Sequence, residues 1–398
     1  MNTNHIAFNK PSVVGEELTF ILQAITSAQL SGAGPFTRQC ELLLEQQLQV
    51  HRAMLTTSCT DALEMCALLL DLQPGDEVIL PSFTFVSTAN AFALRGARPV
   101  FVDIRPDTLN LDEHLLLDRI TPRTRAIVVV HYAGVGCEME PILAIADRFG
   151  IPVVEDNAHG VFGRYRGRSL GSIGQLATLS FHDTKNFTCG EGGALLINEP
   201  AYVERADIIV QKGTNRSRFV RGEMDKYTWI ALGSSFRPSD MLAAFLLAQL
   251  EAHQTIQTKR QHIWNYYQAH LKDWADAHGV VLPTVPSHCD QAYHMFYLLL
   301  PSLADRQAMI AHLKVREISS AFHYLPLHLS PMGQSFGGKP GDFPVTEDIS
   351  DRLLRLPFFN SMTDAELSRV VSAVLEFNAW STNSSQPHAP VSALERAA

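Results

Sequence analysis

Cationic charge is scarce in this sequence: 32 Lys and Arg stand against 41 Asp and Glu, a formal net charge of -9. Binding a polyanion needs a basic face that displaces counterions, so no nucleic-acid partner is expected. Long apolar runs are missing too. None approaches the ~20 residues that a membrane-spanning helix requires, so no membrane partner is expected either. Cysteine is sparse and scattered, at Cys40, Cys59, Cys66, Cys137, Cys189 and Cys289. With no CxxC pair and no secretory apolar segment, these read as reduced thiols in a cytoplasmic protein, and the sequons at Asn186, Asn215 and Asn383 carry no meaning. No repeat of solenoid period is visible. What remains is small-molecule chemistry on a folded chain of 398 residues, enough for one large domain and a smaller one.

From about Arg52 to Ile197 short β-branched runs alternate with helical patterns. "DEVILPSFTF", "ARPVFVDI", "TRAIVVVHYAG", "IPVVEDNAHG" and "GALLIN" read as strands. Ala126 to Val130 is apolar at every position, which suits a strand buried on both faces of a mainly parallel sheet. "SCTDALEMCALLLDL", opened by a Ser or Thr cap, and "EMEPILAIADRFG", closed by Gly150, read as helices between them. The layering is α/β. Residues 211–240 break the pattern with a polar, arginine-bearing segment too long for an ordinary connection. A long helical stretch from Asp240 then leads into a second unit with its own strand, "HMFYLLL", and helix, "DRQAMIAHLKVRE". The expected division is 1–250 and 251–380, with a disordered tail over 381–398.

The stretch "TLSFHDTKNFTCGEGG" holds one lysine, Lys185, between an apolar strand and a Gly-rich turn. Most loop lysines are solvated charge. At the end of a buried strand, however, an ammonium is partly desolvated, its pKa falls, and the amine becomes available for a Schiff base. Asp156, in "IPVVEDNAHG", sits at the C-terminal end of another strand, where open α/β sheets bind ligands. It reads either as a helix cap or, with Lys185, as the acid that keeps a pyridoxal phosphate (PLP) ring nitrogen protonated. In "TTSCTDALEM" the helix N-terminus with Ser58 and Thr60 could hold a phosphate dianion, or be an ordinary cap. Ser180 could add a hydroxyl there, and Phe85 could lie on a cofactor ring, although a lone aromatic is more often core.

"TSCTDALEM", "GDEVILPSFTFVSTANA", "VVEDNAHG", "SFHDTKNFTCGEGG", "LGSSFRPSD" and "FHYLPLH" arrive in one order and spacing, from about residue 6 to 377, that resembles the DegT/DnrJ/EryC1/StrS sugar aminotransferases. The resemblance implies a fold-type-I, aspartate aminotransferase-like α/β architecture: a large domain with a mainly parallel mixed sheet and a smaller α+β C-terminal domain. It also implies PLP as cofactor, a homodimer with shared active sites, and glutamate and a nucleotide sugar as substrates. Lys185 would form the Schiff base with PLP and shuttle the proton, and Asp156 would pair with the pyridinium. His159 would sit near the phenolic oxygen, Phe85 on the ring, and Cys59, Thr60 and Ser180 around the phosphate. Ser235 stands where the family usually offers the partner subunit's Asn to that phosphate. Arg216, Arg218 and Arg221 read as a solvated face or, for one of them, a grip on the nucleotide diphosphate. His323 and Tyr324 would line the sugar pocket. "VVVHYAGVGCEM", "KGTNRSRFVRGEMDKYTW" and "RLLRLPFF" resemble members that aminate C4 of dTDP-4-keto-6-deoxy-D-glucose. Amination at C3, or of a GDP or UDP sugar, is the alternative, and a non-enzymatic PLP-fold regulator a weaker one. His323 and His328 lie five apart, but no carboxylate or cysteine has metal-ligand spacing to them, so no metal is expected.

Overall fold

A computed structural model describes residues 5–381. The tail expected to lack order lies, beyond Ser381, outside the described residues. The central sheet takes β1 (Arg52–Thr56), β2 (Glu77–Pro81), β3 (Arg98–Val102), β4 (Thr124–Val130) and β5 (Val153–Asp156). A small hairpin of β6 (Arg164–Tyr165) and β7 (Arg168–Ser169) follows, and β8 (Leu176–Ser180) and β9 (Gly193–Ile197) complete the sheet. Its order is β1-β9-β8-β5-β4-β2-β3. Pairing is parallel throughout except at β9, which runs antiparallel to both β8 and β1.

The continuous apolar runs have the expected cause. Successive side chains go to opposite faces, and both faces are covered. Met54, Val78, Leu80, Val128, Val154 and Leu195 share a core with Ala62, Leu63 and Cys66 of the helix Cys59–Leu69. On the other face Ala53, Leu55, Leu179 and Leu196 pack on the helices Pro35–Leu48 and Asp240–Glu251. Ile79, Ile127 and Val153 pack there on the helix Met139–Phe149, which Gly150 ends in the left-handed conformation at φ 66°. Helical crossovers between parallel strands bring β1, β2, β4, β5 and β8 to end along one edge, and the loops that leave this edge carry the chemistry.

The long helical stretch expected after Asp240 is two helices, Asp240–Glu251 and His253–His278, which part at Ala252. The second leads to β10 (Cys289–Asp290), which pairs with β6, and to an antiparallel pair, β11 (Tyr297–Leu299) and β12 (Leu353–Arg355). Around that pair Ile263, Tyr267, Phe296, Leu298, Leu313, Leu354, Val370 and Val374 form a separate core, which Ile6 joins from the N-terminal segment. Residues 211–240 hold a short helix, Arg216–Val220, and isolated bridges Thr214–Trp229 and Gln211–Ser235. The segment leaves Val220, Tyr227, Trp229, Ile230 and Leu232 exposed.

Candidate active site

The strand ends enclose a cavity of about 720 Å³. Residue parity places its floor. Asp156 shares its direction with Val154, and Thr178 and Ser180 share theirs with Leu176, so all point to the face that carries the helix Cys59–Leu69. Ser58 caps that helix, its hydroxyl accepting from the Asp61 amide at 3.0 Å, a contribution of about 1 kcal/mol. The first-turn amides of Cys59 and Thr60 have no intrahelical acceptor. They stand at the positive end of the helix dipole, where an anion is favoured.

Gly193 makes this corner possible. A Cβ there would lie 2.4 Å from the Cys59 amide nitrogen and 2.4 Å from the Ser58 carbonyl carbon. The Thr60 hydroxyl donates to Ser87 at 2.8 Å, and Cys59 Sγ lies 3.5 Å from the Thr178 hydroxyl.

Asp156 is buried and caps no helix; no helix follows it. Its Oδ2 accepts from the Thr88 hydroxyl at 2.7 Å and its Oδ1 from the Ala158 amide at 3.2 Å. Burial raises its pKa, and these two donors, with the charge of Lys185, oppose the rise.

Lys185 follows β8 in a bend, its amide donating to the His182 carbonyl at 3.0 Å. By surface area it is only half-buried, because it faces the cavity, yet protein crowds it closely. Desolvation pushes its ammonium down to about 8, with Arg355 adding to the effect and Cys59 and Asp156 opposing it. The result is an amine partly neutral near pH 8 beside a buried carboxylate, the pairing that Schiff-base chemistry needs.

His159 is buried and stacks on His294, ring centroids 4.2 Å apart. Its Nε2 lies 3.5 Å from the Tyr324 hydroxyl, and its buried Nδ1 has no partner among the described residues. Burial, with Lys185 and Arg355 nearby, drives His159 well below the usual histidine range and holds it neutral. His323 is neutral for the same causes, and its Nδ1 lies 3.1 Å from the Tyr132 hydroxyl. Phe85 stands at the cavity mouth, its ring 6.4 Å from that of Tyr324.

Cys59, Thr60, Phe85, Asp156, His159, Ser180, Lys185, His323 and Tyr324 therefore line one cavity. Ser235 and Arg216 do not line it. Both are exposed, in the 211–240 segment. That segment is tied to the helix start through the Thr57 amide, which donates to the Phe236 carbonyl at 2.8 Å. Arg218 and Arg221 both pair with Glu223, at 3.1 and 2.6 Å. His323 and His328 go separate ways, because His328 is buried between Ser82 at 2.7 Å and Glu347 at 3.0 Å.

Sequence reasoning missed Thr88, Tyr132, His294 and Arg355, which come from a helix, a strand end and the C-terminal unit. Asn186, beside Lys185, also gains a place: its Oδ1 lies 2.8 Å from His294 Nδ1 and its amide donates to the Ala292 carbonyl at 2.7 Å. This bond orients the ring on which His159 stacks.

The residues present fit PLP. An anion corner open only because residue 193 is glycine, a buried carboxylate for a ring nitrogen, and the unpartnered Nδ1 of His159 match its phosphate, pyridine and hydroxyl in turn.

Among solved structures, the aminotransferase TlmJ from Streptoalloteichus hindustanus matches with a TM-score of 0.85 at 30% identity, covering 93% of this chain and 97% of that one. DesV of S. venezuelae, crystallised with a ketimine intermediate, matches with a TM-score of 0.85 at 30% identity, covering 94% and 98%. The spore coat polysaccharide biosynthesis protein SpsC of Bacillus subtilis is 34% identical over 380 residues, 93% of this chain and 97% of SpsC. Residues 11–375 match one family over nearly the whole chain, and this cavity supplies what its PLP chemistry requires: the chain belongs to the DegT/DnrJ/EryC1/StrS aminotransferase family.

Proposed function

We propose that this PLP-dependent sugar aminotransferase moves the amino group of L-glutamate to C4 of dTDP-4-keto-6-deoxy-D-glucose, giving dTDP-4-amino-4,6-dideoxy-D-galactose. In this reading it acts in the cytoplasm, in the synthesis of enterobacterial common antigen or a related cell-surface polysaccharide. The observation that carries it is Lys185, its amine lowered to about 8, in one cavity with the buried carboxylate of Asp156. The C4 position rests on the stretches 128–139, 212–229 and 352–359; a role in polysaccharide synthesis is supported by the name of SpsC, a spore coat polysaccharide biosynthesis protein.

PLP, when bound, supplies the electron sink that lets an amino acid and a ketone exchange an amino group. The chain does the rest. The Cys59 and Thr60 amides and the Ser180 hydroxyl would hold the phosphate, and Asp156 would hold the proton on the ring nitrogen. His159, kept neutral, offers its free Nδ1 to the ring hydroxyl. Lys185 would anchor the cofactor and then, once released, serve as the acid and base for the proton transfer, a role worth ~10²–10⁴ in rate. The apolar residues left exposed in 211–240 suit a homodimer whose segment reaches the partner's cavity, bringing Ser235 to the phosphate and Arg216 to the sugar diphosphate.

The test is NMR analysis of the product made from glutamate and dTDP-4-keto-6-deoxyglucose. An axial amine at C4 is expected. An amine at C3, the gluco epimer, or turnover confined to GDP or UDP sugars overturns the assignment.

A further inference from the structure

Tyr132 lies just past the end of β4, inside the stretch 128–139 on which the C4 position rests, yet it does not line the cavity. It is buried among the rings of Phe83, His159, Tyr297 and Tyr324, with centroids between 5.2 and 6.2 Å away. Its amide donates to Asn110 Oδ1 at 2.8 Å, and Asn110 donates in turn to the Val135 and Gly136 carbonyls at 3.1 and 3.0 Å. Packing and this bond give the phenol one fixed position.

Among the described residues the Tyr132 hydroxyl has a single hydrogen-bond partner, His323 Nδ1 at 3.1 Å. Burial pushes the phenol well above its usual pKa, so it keeps its proton. Burial, with Arg355 nearby, also holds His323 neutral, so the imidazole carries one N–H. Were that proton on Nδ1, the Tyr132 proton would be left in the interior without an acceptor, which is strongly disfavoured. With the proton on Nε2, Tyr132 donates to Nδ1 and both groups are satisfied. His323 lines the cavity, and its Nε2 has no partner among the described residues. The arrangement therefore turns one N–H toward the cavity.

The ring lies beside His159, with centroids 6.1 Å apart and planes 26° from parallel, and the charge of Lys185 is felt at it. This is the reacting end of the cavity. Charged forks suit carboxylates and phosphates, whereas a neutral N–H suits a neutral oxygen. The amino donor brings carboxylates to this end, and the keto sugar brings the hydroxyl on the carbon next to its ketone.

We infer that Tyr132 is a positioning residue: its hydroxyl fixes His323 as the Nε2–H tautomer, a donor for the C3 hydroxyl of the keto sugar, and so makes the enzyme select sugars that carry that hydroxyl. This role rests on the keto-sugar half of the reading above.

Heteronuclear NMR of the imidazole nitrogens in wild type should place the His323 proton on Nε2; a proton on Nδ1 overturns the inference. Enzyme first stripped of its visible band by glutamate isolates the sugar half-reaction. In Tyr132→Phe the keto-sugar concentration that half-saturates return of the band should rise on the order of 5- to 30-fold, while the glutamate half-reaction should change less than about 3-fold. An unchanged starting band certifies the fold. His323→Gln, whose amide can still donate, should fall between His323→Leu and wild type. On dTDP-4-keto-3,6-dideoxy-D-glucose, which lacks the C3 hydroxyl, wild type should lose a similar factor and Tyr132→Phe little more, because donor and acceptor act as one pair. If Tyr132→Phe slows both half-reactions alike, or discriminates against the 3-deoxy sugar as strongly as wild type does, the inference is wrong. A wild-type protein that accepts no 4-keto sugar sinks both this role and the proposed substrate, whereas normal wild-type turnover with an unaffected Tyr132→Phe sinks this role alone.

Discussion

The Thr88 hydroxyl donates to Asp156 Oδ2 at 2.7 Å, and the Thr84 hydroxyl lies 2.9 Å behind it. A hydroxyl that donates to a buried carboxylate favours the ionised form, the form that retains a proton on a pyridine nitrogen. Thr88→Val keeps the shape and removes the donor, so Asp156 should move further above the usual carboxylate range. Hydrogen bonds to charged groups are worth ~1.5–3 kcal/mol, so the apoprotein should bind PLP ~10- to 100-fold more weakly, as read by titration. Thr88→Ser should bind as wild type. A Thr88→Val protein with wild-type affinity would show that Asp156 needs no such support.

Lys185, lowered to about 8 against 10.5 for an ordinary lysine, predicts how cofactor attachment depends on pH. Only the neutral amine attacks a carbonyl. The rate at which the apoprotein gains its visible band should rise as pH passes through about 8 and then level off. An unperturbed lysine would keep rising toward ~10.4. Between those values the unfolded chain binds more protons than the folded one, so this group makes the apoprotein more stable as pH rises. Lys185→Ala should give no such band and lose at least ~10² in turnover. A rate still climbing at pH 10 would contradict the lowered amine.

Asp156, Thr60 and Ser180 were legible because each ends a strand or starts a helix, and Lys185 because it closely follows one such end before a Gly-rich turn; short-range signals locate these places. Arg355 and His294 were not, because only tertiary packing brings the C-terminal unit to the cavity. Thr88 was hidden differently. It lies inside the helix Val86–Ala93, where a threonine reads as an ordinary helical position. The break at Ala252 left no mark either, since neither glycine nor proline interrupts the run from Met241 to His278.

Asn186 joins Lys185 to the histidine stack, and its loss should show in both stability and chemistry. Asn186→Ala strips the partner from His294 Nδ1 and from the Ala292 carbonyl. Each buried group left unpaired costs ~1–3 kcal/mol, so the melting temperature should fall while His294 is free to turn under His159. Asn186→Asp should keep the acceptor that faces His294 while losing the donor to the Ala292 carbonyl, and should favour the charged imidazolium, giving a pH dependence of turnover near neutrality that wild type lacks. Unchanged melting and an unchanged pH profile in both variants would make this bond incidental.

Gly193 offers a test of the phosphate corner that separates it from the rest of the site. A methyl group there would press on the Cys59 amide nitrogen and the Ser58 carbonyl carbon, both at 2.4 Å. These are backbone atoms, so the helix start itself must shift, at a cost of ~1–3 kcal/mol. The Cys59 amide belongs to the proposed phosphate cup, whereas Lys185 and Asp156 leave different strands. Gly193→Ala should therefore weaken PLP binding by about tenfold or more while leaving the reaction of pyridoxal, which has no phosphate, unchanged. Gly190 is the control: its φ is +86° with nothing within 4 Å of a built Cβ, so Gly190→Ala strains the loop by ~1 kcal/mol without touching the helix start. Equal effects on PLP and pyridoxal in Gly193→Ala would show that the shift spreads beyond the corner, and that the phosphate is not held there alone.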